Sequence, residues 1–157
     1  MPAKRRRLFT GTLWLLKAAL VIYAIGAVLS AIRLGMLVAF GPEPWPKGTQ
    51  IDVSVAALVM IALAVPVFMN LLAVVRSGQA GTPFTPENGT RLRWIGIFLT
   101  AGYVAHPILV FLADSSRAPE ALIASLAKGL LPVLLCFVVA HIFDIGTDLR
   151  EDLEGTV

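Results

Sequence analysis

Carboxylates are missing from most of this chain. Its ten acidic residues all lie outside four stretches, 13–37, 53–75, 94–113 and 121–143. Charged residues of both signs make up only 15% of the sequence, against about 25% in a soluble domain. A globule of 157 residues with so few charges cannot cover its own surface, so lipid must do so. A mean hydropathy of +0.82 points the same way. Cysteine is also nearly absent. The lone Cys136 sits inside an apolar run, which excludes an internal disulfide framework and a Cys-based zinc site. There is no Gly-rich phosphate loop, no metal-ligand spacing and no serine with a base at hand. His106 and His141 fall on different helices at opposite depths and are poor joint ligands. No enzyme activity and no cofactor or metal are therefore expected. The lack of carboxylates inside the four stretches also argues against a small cation exporter. A cation in low dielectric needs an opposite charge beside it.

What is present instead is apolar length. A spanning helix needs about 20 mostly apolar residues. The stretch 53–75 is free of charge, and 94–113 holds nothing ionisable except His106. The stretch 121–143 contains Lys128 and His141. In 13–37, Lys17 and Arg33 flank an uncharged centre, and each can extend its head to the nearer interface while its stem stays in lipid. A cleaved signal peptide fits less well, because Lys17 interrupts the apolar region and the pattern continues past any plausible site. No solenoid repeat is visible. The expected fold is one all-α domain over 1–157, a bundle of four transmembrane helices. The short connection "GPEPWPKGTQ" joins the first two spans, with Trp45 at an interface.

The basic residues give an orientation. Lys4, Arg5, Arg6, Arg7, Arg76, Arg91, Arg93 and Arg150 fall on one side, and Lys47 and Arg117 on the other, with Arg33 near them. Cytoplasmic loops collect Lys and Arg, so both termini are expected in the cytoplasm. On this reading the run Lys4, Arg5, Arg6 and Arg7 is an orientation signal rather than a nucleic-acid patch, and direct nucleic-acid binding is not expected. The segment 76–93 becomes a cytoplasmic loop and 144–157 a cytoplasmic tail.

That loop reads as a helix start. Gly78 and Gly81 suit a turn out of the second helix. Thr85 is a good N-cap, Pro86 suits the first helical position, and Glu87 favours the positive end of the helix dipole. Asn88 makes an imperfect capping box, since Glu or Gln belongs there. Arg91 and Arg93 hold the entrance at anionic headgroups, with Trp94 at the interface.

Two motifs carry a family likeness. Pro83, Phe84, Thr85, Pro86, Glu87 and Asn88 precede Arg91, Leu92 and Arg93, and the C-terminal pattern is Phe143, Gly146, Leu149, Asp152, Thr156 and Val157. In these motifs the chain resembles the bacterial membrane-protein family named domain of unknown function 2975. The resemblance implies a multi-pass protein of the bacterial inner (plasma) membrane with no assigned activity. Some members of that family resemble partners of small helix-turn-helix regulators, which implies a regulatory role and a cytoplasmic protein partner. The chain departs from the pattern at Gly89 and Gly155, and both glycines are expected to loosen local packing.

Three features are candidates for function. The tail carries Asp144, Asp148, Glu151, Asp152 and Glu154 against Arg150, with Ile145 and Leu149 on one helix face. It docks a cytoplasmic partner, or folds onto the chain's own loop with its acids meeting Arg91, Arg93 or the N-terminal basic run and Ile145, Leu149 and Val157 supplying the packing, or is disordered. Arg33, His106 and Lys128 share the outer half of the membrane. They form a cationic recess for an anion or lipid headgroup, or else reach the surface and pair with Asp52, Asp114 or Glu120. Pro66, Pro107 and Pro132 sit mid-helix, where they either kink the bundle around a cavity or are simply tolerated. The leading expectation is a non-enzymatic regulatory or interaction protein that presents the loop and tail together. The alternative is a small transporter or an anion- or lipid-binding protein. Homo-oligomers are compatible with either.

Overall fold

The structure, a computed structural model, describes residues 3–40, 50–113 and 119–155. The connection with Trp45 and Lys47 lies outside these, as do Asp114, Arg117, Thr156 and Val157, and the side chains of Asp52, Glu154, Lys4, Arg5, Arg6 and Arg7. Four helices follow in chain order: α1 Ala3–Phe40, α2 Gln50–Ala80, α3 Pro86–Ala113 and α4 Pro119–Gly155. There is no strand among the described residues. Every helix is long and apolar enough to cross a membrane, as a multi-pass membrane protein requires.

The helices outrun the stretches read from hydropathy. The lipid crossing needs about 20 residues, but α1 has 38 and α4 has 37. A helix continues into the polar layer until a local signal stops it. For α2 that signal is Gly81, the one described residue with positive φ, at 85°. Two hydrogen bonds close the end, Gly81 N to Gly78 O at 3.3 Å and Thr82 N to Ser77 O at 3.1 Å. Gly78 therefore does not end the helix, contrary to expectation. It stays inside α2 because its missing side chain lets α1 approach. A Cβ there would lie 3.2 Å from the Phe9 ring. The loop reduces to residues 81–85. Thr85 then opens α3 as expected, its carbonyl accepting from the Asn88 and Gly89 amides at 3.0 and 3.3 Å. Pro66, Pro107 and Pro132 lie inside unbroken helices.

The helices pack in chain order, α1 on α2, α2 on α3 and α3 on α4. On the first interface Tyr23 meets Phe68 with ring centroids 5.1 Å apart. The buried centre lies on α3, where Leu92 and Ile95 meet Ala140 of α4, with Leu71 and Val74 of α2 against them. Much of α1 and α4 faces outward, including Leu15, Ile22, Leu131 and Leu134. In lipid those faces need no protein cover. Nor does hydrophobicity drive one apolar helix onto another there, so association depends on close approach at small residues.

The α3–α4 contact supplies that approach. Gly89 and Gly96 of α3 face Asp144 and Phe137 of α4. In return Gly129 of α4 receives the Tyr103 ring, and Gly146 receives Phe84 just before α3. On α3 the positions 89, 96 and 103 repeat every seven residues, and each meets an α4 position progressively earlier in the chain. The register is that of an antiparallel pair with large side chains seated on glycine.

Gly96→Leu should force these helices apart, because a Cβ there already lies 3.0 Å from the Phe137 ring. The expected loss is about 1–3 kcal/mol, the usual cost of overpacking. Gly35→Leu, at a position with nothing within 4 Å, should change stability by less than about 0.5 kcal/mol. Thermal unfolding of both variants in detergent micelles, followed by circular dichroism, checks the pair.

Candidate functional site

Polar side chains gather in two places, at the end of the bundle that holds the α2–α3 turn and in a cleft toward the opposite end. At the turn, Asn88 is the organising residue and is 0% exposed. Its Nδ2 donates to Ser77 Oγ at 2.5 Å and to the Pro83 carbonyl at 2.8 Å. Its Oδ1 accepts from Arg91 Nη1 at 2.9 Å. Ser77 Oγ in turn donates to the Val74 carbonyl at 2.8 Å. One amide thus ties the end of α2, the turn and the first turn of α3. The sequence reading made Asn88 a weak substitute for a capping-box Glu. Its role is instead to cross the turn, and Ser77, its partner, was not among the predicted residues. Glu87 is exposed in the same turn. Its own backbone N–H, then the Thr85 hydroxyl and the Arg91 charge, hold its carboxyl below the usual carboxylate range.

The turn then docks on α4. Phe84 lies over Gly146, where a Cβ would stand 2.5 Å from its ring. The Phe84 and Phe143 rings pair at 5.2 Å. Arg93 Nη2 donates to Asp144 Oδ2 at 2.5 Å. Both partners are partly open to solvent, so this ion pair contributes about 0–1 kcal/mol and serves register more than stability. Gly89 faces the other Asp144 oxygen too closely for any side chain. It makes the packing tight, which corrects the expectation that it loosens it. Gly155 has nothing within 4 Å.

The tail does fold against the loop, with Asp144 meeting Arg93 as expected, but the apolar packing is not supplied by the residues expected. Phe143, Gly146 and buried Thr147 form the docked face. Ile145 and Leu149, expected to supply the packing, are 47% and 59% exposed, and Leu153 is 73% exposed. Ile145 is on the opposite side of the helix, and Leu149 and Leu153 turn progressively toward the Gly146 side beyond the docked segment. α4 runs on as helix to Gly155, past the level of the turn, with Asp148, Glu151 and Asp152 also exposed.

The second region is a cleft of about 500 Å³ lined from all four helices. His106 and Lys128, two of the three cations predicted to share the outer half, both line it. Arg33 is half-buried on α1 and is not among the lining residues. Pro107 lines the cleft, while Pro66 and Pro132 do not. Lys17 does reach toward the nearer helix end, its Nζ 5.8 Å from the centre of the Trp14 ring. Among the described residues no group of three His, Cys, Asp or Glu is placed to hold a metal ion.

Asn88→Ala should lower stability by about 1–3 kcal/mol, because it removes three hydrogen bonds, one to a charged group, from half-buried partners. Limited proteolysis reads the result: cleavage near 81–85 should accelerate in Asn88→Ala and not in a Gly155→Ala control.

No curated protein and no solved structure matches this chain. A family model does match, over residues 8–157, nearly the whole length. The chain therefore belongs to the family described as Protein of unknown function (DUF2975).

Proposed function

We propose that this is a non-enzymatic interaction protein of the bacterial inner membrane, which offers the C-terminal helix of α4 to a cytoplasmic protein. The exposed stripe of Ile145, Leu149 and Leu153 carries this reading. These residues recur every four positions along a helix that extends past the turn, and the chain's own loop occupies the other face. Acidic side chains surround the stripe. They lie at a helix C-terminus, where the dipole is already negative, and the last turn holds no basic residue. Such an end favours a cationic surface. The fitting partner is a small basic protein whose apolar groove takes one helix face, with charge fixing register and on-rate. A helix-turn-helix regulator has that character.

The reading requires the turn end to face the cytoplasm. The distribution of Lys and Arg supports this, with Arg76, Arg91, Arg93 and Arg150 at that end together with the N-terminal basic run. A compartment-sensitive reporter fused after Val157 should give the cytoplasmic signal, and an extracytoplasmic signal would reverse the whole arrangement.

For the docking role, cross-linking in intact cells should capture a cytoplasmic protein with the wild-type chain. Leu149→Asp should abolish the capture while all four helices still insert, and salt should weaken it. Undiminished capture by Leu149→Asp removes the tail from consideration.

A further inference from the structure

The cleft has a chemistry that the docking role does not use. Apart from Tyr23, which lines it deep on α1, its polar groups lie toward one end. His106 is seven residues from the end of α3 and Lys128 nine residues into α4, so both are roughly 10–14 Å from the helix ends farthest from the turn. Ser125 lies beside them on α4. Deeper along the helices the lining becomes Leu63, Ala64, Val67, Phe98 and Leu99. Polar groups outside and apolar groups toward the middle is the order of a lipid in one leaflet.

Charge sharpens this. Among the described residues the lining includes Lys128 and His106 but no carboxylate. An ammonium group in a mostly apolar recess of a membrane protein is costly unless an anion or water meets it. Size agrees as well. About 500 Å³ falls in the usual range for small-molecule sites, roughly 300–1,000 Å³, which combine mostly apolar walls with a few placed polar groups.

We propose that this cleft binds a single-chain anionic amphiphile, with its carboxylate or phosphate at Lys128 and His106 and its hydrocarbon chain along Leu63, Ala64 and Val67. The Tyr103 ring is fixed beside the head position by its seat on Gly129, the residue after Lys128. The wall that meets the head is thus held by the same glycine packing that joins α3 to α4. The site lies away from the tail, so its test is independent of the docking reading.

The probe is cis-parinarate, a fluorescent fatty acid, titrated onto the full-length protein in neutral-detergent micelles. Binding should be saturable at one per chain. Lysophosphatidic acid should compete, while lysophosphatidylcholine and inorganic phosphate should not. Lys128→Met should weaken binding about 10-fold or more, as loss of a charge partner does, and Lys128→Arg should stay within about 3-fold of wild type. Ala64→Trp, which fills the apolar end, should abolish binding at unchanged helix content. Leu149→Asp should leave it untouched. Non-saturable uptake overturns the proposal, as does wild-type affinity in either Lys128→Met or Ala64→Trp. Equal competition by inorganic phosphate would reduce the cleft to a site for a free anion, and equal competition by lysophosphatidylcholine would remove the role of charge.

Discussion

The seating of large side chains on glycine between α3 and α4 is the constraint on which the rest of the structure depends. In water, two apolar helices are driven together by the area they hide. In lipid that drive vanishes, and what remains is dispersion between surfaces close enough to touch, plus polar contacts. Gly96 under Phe137 and Gly129 under Tyr103 bring the two backbones near enough for this to work. The buried cluster of Leu92, Ile95 and Ala140 lies on the same interface. α2 joins it through Leu71 and Val74, and among the described residues α1 packs on α2.

The same register decides what happens at the turn. Because Gly89 meets Asp144 and Gly146 meets Phe84, the start of α3 is fixed against α4 within one helical turn. Arg93 then finds Asp144 without choosing among the other acids of the tail. Asn88 completes the fixation from the α2 side through Ser77. Residues 83–93 are therefore chiefly a device for joining three helices. Asn88, Arg91 and Arg93 bond within the fold, while Glu87 and residues 148–153 of α4 stay exposed.

How legible this was depends on the range of each interaction. The four crossings follow from apolar length alone, and the start of α3 at Thr85 and Pro86 follows from local capping chemistry. Both signals lie within a few residues of what they specify. Asn88 was misread because its partners, Ser77 and Pro83, lie across a turn, whereas capping rules look only inside the helix. Gly78 and Gly89 were misread for a related reason. A glycine that admits a neighbouring helix looks, in one sequence, like a glycine that weakens its own. The seven-residue spacing of Gly89 and Gly96, matched by Phe137 and Asp144, was the available signal, but it has meaning only once α3 and α4 are paired antiparallel. Ile145 and Leu149 show the limit of an apolar stripe, which marks a face without saying what covers it. Here the docked face is the one with Gly146 and Thr147.

The two ends of the molecule treat polar groups in opposite ways, and packing geometry explains why. At the turn, short connections and glycine contacts draw α2, α3 and α4 together, so the Asn88 amide finds partners within the chain. Toward the other end the Tyr103 ring stands on the cleft wall. Lys128 and His106 border open space there, and no carboxylate among the described residues lines it. Polar groups beside such a space are met by water or by whatever enters it. The asymmetry thus places cohesion at the turn end and leaves open volume at the other.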